Sequence, residues 1–275
     1  MIYLDDLREL DNAESSIGVI RKWYDEKNNY YIKASSLDKS NHTYHVEAIM
    51  ECIAYEVGLL LGIDVVPYWL DKLYISEHEI IDVCVSEDYF YKRPIKEKVS
   101  AFSYLLKLHP GKLSREEQYN RITSISEKIK LDIDKMLVFD YLIDNYDRHL
   151  RNIEIALLKD GTITIAPIFD NGSSLLANWE FEEDLLDLKE NEDLFEQNIL
   201  HAETPAKAFA NEHAIEIRMV GKEVYNHINL NIENKEFKSI IEKYSDYLSP
   251  LRKELIYKLL IHRYENIQKR AKSSV

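Results

Sequence analysis

Three oxygen-bearing side chains stand close together in this chain. Asp147 and Asn152 lie in Asp147-Arg148-His149-Leu150-Arg151-Asn152, and Asp170 lies in Phe169-Asp170-Asn171-Gly172. Phosphoryl transfer needs such a set, because one carboxylate must orient the attacking hydroxyl while an Asn and an Asp hold Mg²⁺ against the phosphates. Asp147 suits the first role, and Asn152 and Asp170 suit the second. Between them, residues 153–158 and 162–166 are apolar, β-branched runs flanking Lys159-Asp160-Gly161, a strong hairpin signal. With Asp160 and Gly161 as a two-residue turn, Lys159 faces Thr162 and Asn152 falls opposite Phe169. Asp170 then lies beside Asn152 at the open end of the hairpin. Pro167 cannot donate to a ladder and is the place where this register can shift.

Other elements must bring these groups to a nucleotide. A helix through Ile133, Met136, Leu137, Phe139 and Ile143 runs directly into the loop and anchors Asp147. Upstream, Tyr30-Tyr31-Ile32-Lys33-Ala34 reads as a strand after a polar turn at residues 25–29. Lys33 is the candidate fixed charge for the ATP phosphates. The chain has only seven glycines and no Gly-x-Gly-x-x-Gly or Walker-type loop, so residues 14–22, with Ser15, Ser16 and Gly18, are the best candidate for a phosphate loop. An amphipathic helix from about Tyr44 to Leu61, stopped by Gly62, places Glu47 and Glu51 one turn apart on one face. Either could pair with Lys33; Glu51 is preferred and Glu47 is the alternate.

Residues 65–70 and 80–85 read as two more strands of the same small sheet. Residues 86–90 form a polar and aromatic crossing, where groups around Glu87 and Tyr89 are expected to meet the adenine. Helical segments follow near residues 96–108 and 114–129, with a closing helix at 250–270. The expected fold class is α+β with two lobes. Residues 1–87 form a small β-rich lobe with one main helix, and residues 88–275 form a larger, mostly helical lobe carrying the catalytic loop and the hairpin.

At 275 residues and 45% apolar content the chain can build a substantial core. A net charge of −14 argues against extensive contact with nucleic-acid phosphates or anionic membranes. No charged-then-apolar signal segment opens the sequence, and no apolar run approaches the roughly 20 residues that span a bilayer. Cys52 and Cys84 sit in apolar surroundings without Cys-x-x-Cys spacing and read as buried thiols of a reducing compartment. A cytoplasmic location is therefore expected. The acidic stretch over residues 180–196 reads first as a solvated helix face, with a preference for basic substrates as the second reading.

Residues 139–152, Phe-Asp-Tyr-Leu-Ile-Asp-Asn-Tyr-Asp-Arg-His-Leu-Arg-Asn, followed by Ala166-Pro167-Ile168-Phe169-Asp170-Asn171-Gly172, resemble the catalytic core of HipA-like serine/threonine protein kinases of bacteria. Ile32-Lys33 and the helix ending Leu60-Leu61-Gly62-Ile63 extend the resemblance to about residues 14–176. It implies a two-lobed protein-kinase-like fold using ATP and Mg²⁺. In that scheme Asp147 is the catalytic base, Asn152 and Asp170 are the metal ligands, Lys33 is the phosphate-binding lysine, and His149 shapes the catalytic loop. It also implies a protein substrate with a Ser or Thr hydroxyl, autophosphorylation at Ser15 or Ser16, and an antitoxin or other regulatory protein as partner. The chain is shorter than full-length toxin kinases of that group and is expected to lack their additional N-terminal subdomain. Two further readings stand beside this one. Asp-Arg-His-x-x-Asn followed by a metal-binding Asp also resembles the phosphatidylinositol-type lipid kinase signature, and a catalytically inactive kinase fold used for binding is the non-enzymatic alternative.

Overall fold

The computed structural model describes residues 2–10, 20–38 and 43–273. Ser15, Ser16 and Gly18 lie outside the described residues.

Aromatic and aliphatic residues alternating with polar ones form the first sheet. Strands β1 (Ile2–Tyr3) and β2 (Arg8–Glu9) are short, and β3 (Lys22–Asp25) and β4 (Tyr30–Ala34) form a hairpin whose turn places Asn29 at φ 56°. The small pair β5 (Leu37–Asp38) and β6 (Thr43–Tyr44) leads into helix α1 (Glu47–Leu61). The helix stops where Gly62 adopts φ 72°, a left-handed conformation that costs glycine little. Strands β7 (Tyr68–Tyr74) and β8 (Ile80–Glu87) complete a six-stranded sheet in the order β1-β7-β8-β4-β3-β2, antiparallel except where β1 runs along β7.

The period of two sorts the side chains of this sheet. Trp23, Ile32, Leu73, Ile81, Val83 and Val85 form one buried cluster. Cys84 belongs to another, with Ala48 and Cys52 of α1, and both cysteines are free and buried. In register, Lys33 pairs with Cys84 on one side and Lys22 on the other, so both lysines fall on the face turned toward α1.

The chain leaves the sheet at Glu87 and crosses in α2 (Tyr89–Lys92) to β9 (Ile95–Ser100). After α3 (Ala101–Leu108), α4 (Arg115–Thr123) and α5 (Glu127–Ile143), the hairpin β10 (Glu154–Leu158) and β11 (Ile163–Ile165) joins β9 in a three-stranded sheet ordered β11-β10-β9. The remaining helices are α6 (Glu182–Glu190), α7 (Glu192–Phe195), α8 (His213–Glu216), α9 (Asn234–Lys243) and α10 (Pro250–Lys272). Among the described residues no helix is long and apolar enough to cross a membrane.

Three expectations are corrected here. The hairpin pairs Ile155 with Ile165 and Leu157 with Ile163, one residue away from the expected register. The loop has three residues rather than two: Gly161 N–H bonds Leu158 O at 3.0 Å, Leu158 N–H bonds Thr162 O at 2.8 Å, and Gly161 takes φ 89°. This is the turn-plus-bulge alternative for a Gly-containing loop. Residues 95–100 form a strand rather than the start of a helix, because Ile95-Lys96-Glu97-Lys98-Val99 finds a partner in β10 and Ser100 then caps α3. The helix expected near 114–129 ends at Thr123, and the next begins earlier than expected, since Ser126 accepts from Ile129 N–H and starts α5 at Glu127.

The main core runs through both halves of the chain. Ile49, Met50, Ile53 and Val57 of α1 pack in one cluster with Phe139 and Leu142 of α5 and Leu255 and Leu259 of α10. Just past α1, Val66 N–H bonds Ile168 O and Ile168 N–H bonds Asp64 O, both at 2.9 Å, which ties the end of that helix to the segment preceding Asp170. Gly58 permits this approach, because a Cβ there would collide with Val65 and lie 3.4 Å from Phe139. Gly58→Val should destabilise the protein by about 1–3 kcal/mol, as overpacking does. Urea denaturation should show a lower midpoint at unchanged slope, and an unshifted midpoint would contradict the packing.

Candidate active site

Lys33 sits where β4 faces α1. Its Nζ lies 2.5 Å from Glu51 Oε1 and also donates to Asp170 Oδ1. Burial alone would lower its pKa, but Asp170 and Glu51 more than offset this and hold the ammonium well above its ordinary value. Glu51 Oε2 accepts Asn171 N–H at 2.7 Å, so one carboxylate orients both the lysine and the turn after Asp170. Glu47 is engaged elsewhere, accepting from Ser36 N–H at 3.2 Å and from the Ser36 hydroxyl. The helical spacing left these two glutamates open; the Lys33 ion pair is made by Glu51.

Asp170 adopts φ 60°, which Asp tolerates better than most residues, and Tyr68 OH accepts its N–H at 3.4 Å. Gly172 lets the turn sit against α1, since a Cβ there would lie 3.0 Å from Glu47 O and 3.3 Å from Glu51 Cγ. Asn152 Nδ2 donates to Asp170 Oδ2 at 2.9 Å. Asn152 and Asp170 therefore meet despite the register shift. The Asn152 Oδ1 atom is buried and has no hydrogen-bond partner among the described residues. An unmatched amide oxygen beside a carboxylate oxygen fits Mg²⁺, which takes one or two protein oxygens and completes its shell with phosphate and water. No group of three or more His, Cys, Asp or Glu side chains able to hold a metal occurs among the described residues.

Arg148 holds this arrangement from beneath. Its guanidinium bonds Asp140 through Nε (3.0 Å) and Nη2 (3.1 Å), Asn171 Oδ1 at 2.5 Å, Phe169 O at 2.5 Å and Asn152 O at 3.4 Å. Both charges of the Arg148–Asp140 pair are fully buried. Burial pushes the Asp140 carboxyl up. For Arg148, burial acts downward but Asp140, Asp170 and Glu51 outweigh it, so the guanidinium is raised further.

Asp147 lies above this hub, reached from α5 through Asp144 at φ 56°. Its backbone N–H bonds Asn145 Oδ1 at 3.1 Å, and Asn145 Nδ2 bonds Asp140 Oδ1 at 3.2 Å. Its carboxylate is one-third exposed and receives Lys207 Nζ at 2.5 Å. His149 bonds through its backbone to Asp147 O and Asn152 N–H, and its Nδ1 is buried without a partner among the described residues.

A cleft is lined by Lys22, Lys33, Tyr68, Glu87, Asn152 and Asp170, with Tyr89 and Phe169 as an aromatic wall, and Asp147 is not among its lining residues. The two rings stack at 5.9 Å with a 27° interplanar angle. Tyr89 also donates to Glu154, while Lys98 Nζ lies 3.0 Å from its hydroxyl. At the expected adenine end, the Asp88 N–H is already committed to Asn29 O at 2.9 Å. Burial, with Lys33 alongside, lowers the Lys22 pKa.

The chain has a kinase-like fold of mixed α and β structure. In particular, the chain is similar to the crystal structure of the Helicobacter pylori proinflammatory kinase CtkA, with a TM-score of 0.71, 17% identity, and coverage of 93% of this chain and 94% of that one. HipA of Shewanella oneidensis MR-1, solved with HipB and operator DNA, matches with a TM-score of 0.49 and 14% identity over 97% of this chain and 74% of that one. No family model and no curated protein matches the chain. The kinase-like α+β fold implied by the sequence resemblance is the fold observed, as the likeness to CtkA shows.

Several residues of the site carried no role in the sequence. Arg148 stood inside the motif, and an arginine flanked by acidic and amide residues was the available signal. Tyr68 and Lys22 became visible only through strand register. Lys207 is 60 residues from Asp147, and nothing local marks it.

Two outcomes follow from the buried charges. Arg148→Met should cost about 3–5 kcal/mol in denaturant titration, because it strands Asp140 without its partner; a loss below 1 kcal/mol would contradict the hub. Glu216, which accepts Phe209 N–H at 2.6 Å and Ala210 N–H at 3.0 Å, is pushed by burial to about 7 from 4.5. Between those values the folded chain keeps a proton that the unfolded chain has lost, so stability falls as pH rises from 4.5 to 7. Glu216→Gln should flatten that slope in melting curves, and an unchanged slope would mean that Glu216 titrates normally.

Proposed function

We propose that this chain is an ATP- and Mg²⁺-dependent serine/threonine protein kinase. The observation that carries the proposal is the convergence of Asn152 and Asp170 beside Lys33. One amide nitrogen fixes the Asp170 carboxylate, while the amide oxygen of the same side chain is buried with no protein partner among the described residues.

Catalysis in such a site is positional and electrostatic. Lys33 binds the phosphates, and its own position is set by Glu51. Asn152 and Asp170 would hold Mg²⁺, which would neutralise phosphate charge there. Asp147 accepts the hydroxyl proton of the acceptor and aligns its oxygen with the γ-phosphorus. Tyr89, Phe169 and Val66 offer apolar surface to the base. Autophosphorylation at Ser15 or Ser16, and a regulatory or antitoxin partner, are the parts of this reading that rest on sequence resemblance.

Intact-mass analysis before and after incubation with Mg-ATP, followed by peptide mapping, tests the reading. Wild type should gain phosphate, mapped to Ser15 or Ser16, while Asp147→Asn should lose transfer by at least about 100-fold and still bind ATP. Full transfer by Asp147→Asn would refute the assignment. Phosphate incorporated into phosphatidylinositol liposomes rather than protein would favour the lipid-kinase reading, and ATP binding without transfer to protein or lipid would favour an inactive fold.

A further inference from the structure

The Lys207–Asp147 contact is out of proportion to its worth for stability. Both side chains are partly exposed, and exposed ion pairs contribute about 0–1 kcal/mol. Yet the loop carrying Lys207 is fastened at every step. The Thr204 hydroxyl donates to Asp144, at the end of α5. Pro205 bridges Glu212, and Ala206 N–H bonds Asn211 O at 2.9 Å. Arg115 Nη1 donates to Ala206 O at 3.0 Å. Glu216 takes the N–H groups of both Phe209 and Ala210, and Phe209 packs edge-on against Tyr119 at 5.4 Å. Within residues 206–210 only Lys207 is exposed; its neighbours Ala206, Ala208, Phe209 and Ala210 are buried. A rigid strap therefore presents one ammonium to the carboxylate assigned to the acceptor hydroxyl.

Among the described residues, Lys207 is the only cation paired with Asp147. Lys33 serves the nucleotide side of the site and is matched there by Glu51 and Asp170. Among the described residues the acceptor side has no other cation in contact with its carboxylate. A transferring phosphoryl group spreads negative charge over its outer oxygens, and a fixed cation at that point lowers the barrier.

We propose that Lys207 is a further catalytic residue, a cation supplied by the 204–216 strap that binds the γ-phosphoryl group as it passes to an acceptor held on Asp147. The proposal rests on the kinase reading above and deepens it. The acceptor O–H donates to the Asp147 carboxylate oxygen not held by Lys207. As the new O–P bond forms, the proton passes to Asp147. The bond between the γ-phosphorus and the β,γ-bridging oxygen breaks, and its electron pair stays with the departing ADP. Lys207 keeps its protons throughout and donates one hydrogen bond to an outer γ-oxygen.

Lys207→Met and Lys207→Arg, compared with wild type, test this through steady-state phosphotransfer, calorimetric binding of Mg-ADP with and without aluminium fluoride, and thermal melting. Lys207→Met should melt like wild type and bind Mg-ADP within about twofold. It should lose about 100-fold in kcat, together with the extra affinity that aluminium fluoride confers, and Lys207→Arg should recover part of both. Wild-type kcat in Lys207→Met would overturn the role of Lys207 alone. Equal losses in Mg-ADP affinity and kcat, or a lowered melting point with no rescue by Arg, would reduce Lys207 to a structural residue and overturn the proposal. A wild type that gains no affinity from aluminium fluoride and transfers no phosphate would overturn the kinase reading and this proposal with it.

Discussion

One buried guanidinium organises the cleft of this protein. Arg148 makes contacts to α5 through Asp140, to the end of its own loop through Asn152 O, and to the turn beyond the hairpin through Phe169 O and Asn171. A planar group with five donors can satisfy such a divergent set of acceptors, which a lysine cannot. The hub also explains why a one-residue register slip in the hairpin does not separate Asn152 from Asp170. Their approach is set by a common donor beneath them and by the amide contact between them, rather than by the ladder alone.

The second organising element is α1. One face enters the main core with α5 and α10, and the other carries Glu51 to Lys33 and to Asn171 N–H. A single helix thus couples strand β4, which holds the lysine, to the turn that holds Asp170. Within this network Asp170 and Glu51 hold the Lys33 ammonium above its ordinary value, and Asp140, Asp170 and Glu51 do the same for the Arg148 guanidinium.

Much of this was legible in the sequence because it is local. The run from Asp147 to Asn152, the two strand-like segments before Asp170, and the Glu51 helix each signal themselves through spacing and periodicity, and the α+β kinase-like class follows from their order. The two-residue reading of the 159–161 loop failed because Asp-Gly is compatible with two turn geometries that differ by one residue, and the chain beyond chose between them. Residues 95–100 misread as helix because their strand character depends on β10, more than 50 residues away. Lys207 and Tyr68 were silent for the same reason: their roles are made by tertiary proximity, and no period along the chain encodes it.

The seating of Gly172 against α1 bears on how this protein can be controlled. Kinase-like enzymes can be silenced by swinging a glutamate-bearing helix away from its lysine. Here the Glu47 carbonyl and the Glu51 side chain abut a residue with no side chain of its own, and the opposite face of α1 is part of the main core. Outward travel of α1 would open a void in that core and unpair Asn171 N–H at the same time. In this architecture the cleft mouth and the approach to Asp147 can change without disturbing the core, whereas the seat of α1 cannot.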